Sequence, residues 1–388
     1  MAKIPNPLFR ESFQRCIHVS GEIDQTTLDR LSPEIQRLRG EGGDPITVFL
    51  DCPGGSTWHA EALLRLLKAR TQDGVSCRII TVVTTLAASA AADLLAAGNY
   101  AIAYPSAVVL YHGIRSRTGQ AVTTETASQL VETLRKTSED FALQLANRCI
   151  DRFFFNYAGL MGEFADIRQE QNDTRLHDID CLSVALQKRL PNLSRLPTEA
   201  LGRRSRNAAL STFVSQKLSE RADITPETRR AEAEAAILQA IVQYELETHP
   251  EADWTLASDG MRRIQEDFVL LREYHSPEHN AKLASLIDQY GAFMLAPEEQ
   301  QQYNGLTEPE KQDWLSRATW DRVHALWYFY VSICRLLQEG ENYMSPEEAY
   351  WLGIVDEVIG SSLPSVRTLV EKDEEPPPQE APVDKPRP

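Results

Sequence analysis

Residues 81–112, TVVTTLAASAAADLLAAGNYAIAYPSAVVLYH, decide the fold of the chain. The apolar, β-branched run at 79–83 predicts a buried strand, and the small residues from about Ala87 to Ala97 predict a helix that a glycine ends. Two more short apolar runs follow, and the second ends at His112. Ser89 lies near the start of the predicted helix among alanines, where the helix N-terminus favours developing negative charge.

A second strand and a glycine turn come before this stretch. Residues 46–56, ITVFLDCPGGS, predict a buried strand that leads into a turn at Gly54 and Gly55. Such glycines let the backbone approach a ligand closely with its N–H groups exposed. Apolar patterns upstream and between these strands alternate strand with helix, which predicts an α/β fold with a parallel sheet covered by helices. A serine, a histidine and a donating turn are the parts of an acyl-transfer site.

The order of the motifs resembles the proteolytic subunit of Clp protease. That family carries GEID at the end of a strand, an N-S-P-G-G turn, A-A-S-M before L-L-A-A-G, and a histidine after P-N-x-R-x-M-I. The matching motifs here are GEID at 21–24, DCPGGS at 51–56, AASAA at 87–91, LLAAG at 94–98, Pro105 and LYH at 110–112. Residues 345–359, SPEEAYWLGIVDEVI, are similar to the family's S-A-E-E-A-x-x-Y-G-L-I-D-x-V-L. The likeness covers roughly residues 16–150 and 335–360.

The resemblance implies a crotonase-type fold with a repeated β-β-α spiral core. It also implies a serine endopeptidase that hydrolyses peptide bonds inside an oligomer, without a cofactor. In that interpretation Ser89 is the nucleophile and His112 is the base. The backbone N–H groups of Ala90 and of the turn at Gly54 and Gly55 form the oxyanion hole.

The third catalytic residue is open on sequence grounds. The family has an aspartate four residues before its S-A-E-E-A segment, and Glu341 stands at that place here, counted back from Ser345. Glutamate orients the histidine in some hydrolases, so Glu341 is the first candidate. Asp166 and Asp173 are alternatives, and Asp93, one helical turn after the serine, is interpreted as an interface polar group.

Five segments are predicted from composition and from the extent of the likeness. The likeness includes a handle helix, from about Thr123 to Asn147, through which two rings of the family meet. Helical periodicity at 231–247, 259–274 and 281–293 indicates an α-helical inserted subdomain. The segments are an N-terminal arm (1–15), the core (16–150), the insertion (151–319), a return to the core (320–362) and a disordered acidic, proline-rich tail (363–388).

Composition narrows the partners and the compartment. A net charge of −16 argues against nucleic acid and anionic membranes. The six cysteines have no metal-ligand spacing, which favours buried thiols in a reducing compartment and argues against a structural metal. With no signal-like or membrane-spanning run, the expected location is the cytoplasm. Expected partners are a peptide or unfolded protein as substrate, further copies of the chain, and an ATP-dependent unfoldase or another protein.

Two other functions remain open on the sequence alone. The replaced aspartate and the large insertion fit a catalytically impaired scaffold or binding protein. A crotonase-fold acyl-CoA enzyme, whose two backbone donors stabilise an enolate, is disfavoured because it needs neither Ser89 nor His112. Labelling of Ser89 by a fluorophosphonate separates the peptidase from both.

Overall fold

The structure is a computed structural model, and its α/β architecture confirms the predicted fold class. Predictions about the first eight residues and the tail from 365 onward fall outside the described residues. The structure describes residues 9–70, 74, 76–116, 123–221, 230–252, 255, 258–274 and 276–364.

The strands form one sheet that is parallel except at one edge. They are β1 (Cys16–Ser20), β2 (Ile46–Cys52), β3 (Ile79–Ala88), β4 (Tyr100–Ala103), β5 (Val108–His112), β6 (Glu341–Met344) and β7 (Glu357–Val358). Strands β1, β2, β3, β4 and β7 are neighbours in that order and all pair in parallel. The carboxyl ends of parallel strands therefore meet at one edge, where ligand sites of such sheets form.

Strand β3 pairs with two strands, β4 and β5, along the same edge. Its first half pairs with β4, from Ile80 opposite Tyr100 onward, and its end pairs with β5, with Ala88 opposite Leu110. Strand β6 then adds to β5 in the antiparallel direction. This edge brings the end of β3, His112 at the end of β5 and the distant β6 together.

Helices cover the sheet and make up most of the rest of the chain. They are α1 (Gln25–Glu41), α2 (Thr57–Lys68), α3 (Ala90–Ala96), α4 (Thr124–Leu160), α5 (Phe164–Glu170), α6 (Asp178–Arg189), α7 (Arg195–Ser219), α8 (Arg230–Thr248), α9 (Asp259–Tyr274), α10 (Pro277–Tyr290), α11 (Pro297–Asn304), α12 (Glu308–Leu337) and α13 (Pro346–Trp351). The predicted helices at 231–247, 259–274 and 281–293 correspond to α8, α9 and α10.

The helix after β3 begins later than the sequence predicts. Ala87 and Ala88 belong to β3 rather than to the helix, because they pair with β5 and Ala87 also pairs with Cys52 of β2. Alanine is a strong helix former, but its small side chain fits between two neighbouring strands, and strand pairing overrides the weak local preference. Ser89 therefore lies at the junction between strand and helix instead of inside the first turn.

The predicted handle helix is longer than the likeness implies. Helix α4 begins at Thr124 but runs on to Leu160, because Phe153 and Phe154 of its last turns are buried. The ring of Phe153 stacks on Tyr330 of α12, with the ring centroids 4.0 Å apart. The predicted segment boundary after residue 150 consequently falls inside α4, and the one after 319 falls inside α12.

The main core is continuous from the sheet into the helical part. Its buried residues include Val83 of β3, Ile150 of α4, Leu186 of α6 and Phe329 of α12. A smaller separate core lies between α7, α8 and α9. The first helices of the predicted insertion therefore share the core of the sheet domain, whereas the second half of α7 forms a separate cluster with α8 and α9.

Candidate active site

Ser89 occupies a sharp turn between β3 and α3. Its backbone has φ +55° and ψ −126°, a conformation that costs an L-residue about 1–3 kcal/mol. Hydrogen bonds on both sides hold it there: its N–H donates to the Leu110 carbonyl at 2.8 Å, and its carbonyl accepts from the N–H groups of Ala92 and Asp93. Strain of this kind clusters at functional sites, and a nucleophile on such a turn presents its hydroxyl above the sheet.

The glycine turn packs directly against this serine. Gly54 and Gly55 have φ +96° and +145°, in the region that favours glycine. A Cβ on Gly54 would lie 2.5 Å from the Ala88 oxygen and 2.8 Å from the Ser89 Cβ, and one on Gly55 would lie 2.4 Å from the Ile23 oxygen. Only glycine fits at either position, so the turn backbone can lie beside Ser89.

Cys52 fixes the turn and was not among the predicted site residues. A β-bulge between Leu50 and Cys52 brings Cys52 opposite Ala87, two residues before the serine. The Gly54 N–H donates to Cys52 Sγ at 3.3 Å, and the Cys52 thiol donates to the Gly21 carbonyl at 2.9 Å. Burial raises the pKa of the Cys52 thiol, which keeps it a donor. The Cys52 position in the family turn, immediately before Pro-Gly-Gly, was the available sequence signal.

The remaining oxyanion candidates are the N–H groups of Gly55 and Ala90. Cys52 already takes the Gly54 N–H, whereas the described contacts include no acceptor for the Gly55 N–H. Ala90 is the first residue of α3, and the first N–H groups of a helix lack acceptors within it. Ala90 follows Ser89 in the chain, and Gly55 follows Gly54, whose backbone packs against Ser89.

His112 ends the strand next to Ser89. Since Ala88 is opposite Leu110, the two residues lie at the carboxyl ends of adjacent parallel strands. His112 Nδ1 lies 2.7 Å from the Gly113 carbonyl oxygen, which only accepts, so Nδ1 carries the proton and Nε2 keeps its lone pair in the neutral ring. Among the described contacts there is no hydrogen bond between His112 and Ser89; catalytic hydrogen bonds often tighten only with substrate.

Glu341 stands directly opposite His112 in the β5–β6 pairing. Its carboxylate accepts from Arg115 Nη2 at 2.6 Å through Oε1 and from the Tyr343 hydroxyl at 3.3 Å through Oε2. The hydrogen bond from Arg115 is the main reason that the pKa of Glu341 is lowered. The structure therefore brings Glu341 beside His112 in register, but the described contacts of its carboxylate go to Arg115 and Tyr343.

The two alternative acids lie elsewhere. Asp166 belongs to α5, and Asp173 follows that helix and accepts from the Arg175 N–H at 2.9 Å. Both are exposed, and the described residues show no hydrogen bond from either one to His112.

Asp93 is a half-buried acid one helical turn after Ser89. Burial raises its pKa to about 7, against the opposing attraction of Arg148 from α4. The negative charge of Asp93 also contributes to raising the pKa of Tyr111, the residue before His112, after burial as the main cause. Asp93 and Tyr111 therefore lie in one electrostatic environment behind the site.

Comparisons with known proteins bear on the first part of the chain. The Clp protease family model matches residues 4–152, a range that includes Ser89, His112 and the glycine turn but not Glu341. A comparison with curated proteins finds no match. In the described part of the chain, no helix has the length and apolarity to span a membrane, and no group of three or more His, Cys, Asp or Glu side chains is arranged for a metal ion.

Replacing Asp93 by asparagine should change how stability depends on pH. The folded pKa of about 7 lies above the reference value of 3.8, so the folded state binds more protons between these values and loses stability as pH rises through them. Asp93→Asn removes this loss, and its melting temperature relative to the natural chain should rise from about pH 5 to about pH 8. Thermal unfolding at several pH values measures this, with Asp44→Asn as an exposed control. A pH-independent difference would contradict the prediction.

Removing the Cys52 thiol should release the Gly54 amide. We expect Cys52→Ala to speed hydrogen exchange of that amide several-fold, since a hydrogen bond of about 1 kcal/mol corresponds to a factor of about five. Cys52→Ser should preserve slow exchange, because a hydroxyl also accepts and donates. Cys77→Ala is the matched control, as the Cys77 thiol likewise donates to a backbone carbonyl, that of Gly42 at 3.3 Å. Equal exchange in the alanine and serine variants would exclude this role for Cys52.

Proposed function

Because residues 4–152 match the Clp protease family model, we propose that the chain is a serine endopeptidase with Ser89 as its nucleophile. The observation that carries the proposal is the strained backbone of Ser89 at the end of β3, against which a turn that only glycine can form is packed. Fixed backbone donors beside a nucleophile are what an oxyanion site requires, and they act without reorganisation during the reaction.

In the proposed reaction His112 Nε2 takes the proton of the Ser89 hydroxyl as its oxygen attacks the peptide carbonyl. The Gly113 carbonyl, by accepting from Nδ1–H, supports the tautomer that leaves Nε2 free for this role. The N–H groups of Ala90 and Gly55 then stabilise the oxyanion, within a turn that Gly54 completes. His112 returns the proton to the leaving amine, and water hydrolyses the acyl-enzyme by the same steps.

We assign Glu341 as the acid of this site. Its support is the register, which sets Glu341 opposite His112 on neighbouring strands. Directly paired residues of antiparallel strands have side chains on the same face. The competing proposal, a catalytically impaired scaffold, is favoured by one observation: both oxygens of the Glu341 carboxylate are bonded to Arg115 and Tyr343.

The wider setting follows from the family and from the helical part. We propose peptides or unfolded proteins as substrates, a homo-oligomer that encloses the sites, and a protein partner such as an ATP-dependent unfoldase. The five segments of the sequence analysis are retained, with 151–319 as an insertion whose helices α7, α8 and α9 carry a core of their own and form an outer contact surface. Six free thiols, five of them buried, support a reducing compartment such as the cytoplasm.

Ser89→Ala should abolish both peptide hydrolysis and labelling by a fluorophosphonate. The change removes only a hydroxyl from a half-buried position among alanines, so the variant should fold like the natural chain, which circular dichroism and thermal unfolding check. Ser128→Ala, at an exposed serine of α4, is the control and should be labelled normally. Hydrolysis that persists in Ser89→Ala would remove Ser89 from the mechanism. A natural chain that neither hydrolyses peptides nor reacts with the probe would favour the scaffold.

The purified protein should be a homo-oligomer at micromolar concentration, since the sheet domain alone leaves its site on an open edge and closed symmetry is the usual form of such assemblies. Multi-angle light scattering measures the mass against the 43.7 kDa of one chain. A monomer that still cleaves peptides would refute the enclosed chamber.

A further inference from the structure

An ion pair lies at the end of the paired strands β5 and β6, beside His112. Arg115 Nη2 donates to Glu341 Oε1 at 2.6 Å, with both side chains at least half exposed. Tyr343, two residues farther along β6, donates its hydroxyl to the other carboxylate oxygen. Alternate residues of a strand share one face, so Glu341 and Tyr343 lie on the same face of the β5–β6 pair as His112.

The two contacts use both oxygens of the Glu341 carboxylate. His112 Nδ1 meanwhile donates to the Gly113 carbonyl, a neutral acceptor in its own chain neighbour. A carboxylate is the stronger partner for the imidazolium that forms during acyl transfer, because a hydrogen bond between ions exceeds one to a neutral group. His112 is therefore bonded to a neutral acceptor, the Gly113 carbonyl. The charged acceptor on the neighbouring strand, Glu341, is paired with Arg115 instead.

We propose that Arg115 is a positioning residue that holds Glu341 away from His112 and so keeps the proposed peptidase below its full rate. This inference rests on the proposed function and on the assignment of Glu341 as the acid. For Glu341 to exchange Arg115 for His112, only exposed side chains at the end of the β5–β6 pair have to rotate. An exposed ion pair is weak in water and further screened by salt, so the restraint is one that a small change can release.

The release can be tested with substitutions that leave the core untouched. Arg115→Gln removes the competing cation and should raise kcat of peptide hydrolysis by roughly two- to fivefold, the range that an exposed pair of up to about 1 kcal/mol allows. KM should change little, since orienting the histidine acts on the chemical step. The rate of fluorophosphonate labelling at Ser89 should rise in parallel, independently of peptide binding. Arg115→Lys keeps a cation beside Glu341 and should give a smaller gain.

The rate increase expected for Arg115→Gln should depend on the Glu341 carboxylate. In the Glu341→Gln background, Arg115→Gln should increase neither kcat nor the labelling rate, because no charged acceptor remains to be released. This double-mutant cycle separates the proposed coupling from a general loosening of the β5–β6 pair. Arg65→Gln is the matched control, since Arg65 forms an exposed ion pair with Glu61 on α2 at 3.1 Å. It should leave both rates unchanged.

The outcomes discriminate between the inference and the function beneath it. A labelled and active natural chain whose Arg115→Gln variant is equal or slower overturns the inference alone. A gain that survives in the Glu341→Gln background also overturns it, because Arg115 would then act without Glu341. If neither the natural chain nor Arg115→Gln labels at Ser89 or cleaves peptides, the proposed function and the inference fail together.

Discussion

One buried ion pair joins the parts of the chain on which the site depends. Arg152 of α4 and Asp356, just before β7, are almost fully buried and lie 2.8 Å apart between Nε and Oδ2. Arg152 also donates to the Ala96 and Gly98 carbonyls, at the end of the helix that Ser89 begins, and Asp356 accepts from the Ala101 N–H. Removing one partner of such a pair typically costs about 3–5 kcal/mol, because the other charge is left buried and uncompensated, and that loss is a large share of a domain's stability.

The position of this pair explains how a long helical segment interrupts the sheet domain without displacing its last strands. Helix α4 carries Arg152 away from the sheet, and the chain returns against the same helix at Gly353. A Cβ on Gly353 would lie only 2.8 Å from the Phe153 amide nitrogen, so this close approach requires glycine. Asn156 of α4 donates to the Tyr350 carbonyl in the same region. The chain that follows β6 is therefore held against α4. Strand β6 itself lies beside β5, with Glu341 opposite His112.

The sequence predicted what is local in the chain and missed what depends on pairing across it. The apolar runs of β2 and β3, the glycine turn and the helical periods of α8 to α10 are each visible in a short window, and each was predicted. The predicted start of α3 was wrong by three residues, because local propensity does not show that Ala87 pairs with strands on both sides and Ala88 with β5. The length of α4 was missed for a similar reason, since its last turns are held by aromatic contacts with α12.

The same distinction between local and long-range features applies to the candidate site. Ser89, His112 and the two glycines follow from motifs, because each has a local conformation or residue type that its chemistry requires. Cys52 enters through a bulge that changes the β2–β3 register, and Arg115 matters only because β6, more than two hundred residues later in the chain, brings Glu341 next to it. Contacts between residues so far apart in the chain cannot be predicted from local spacing or composition.

The hydrogen bond between His112 Nδ1 and Gly113 bears on the choice between a peptidase and a scaffold. A histidine that has lost its acid partner loses tautomer control, and in serine proteases this loss costs orders of magnitude in rate. Here the Gly113 carbonyl keeps the proton on Nδ1, so the lone pair remains on Nε2 without any help from an acid. A neutral carbonyl stabilises the imidazolium less than a carboxylate does. The arrangement therefore suits the base role proposed for His112 and lacks only a charged partner, for which Glu341 lies on the neighbouring strand.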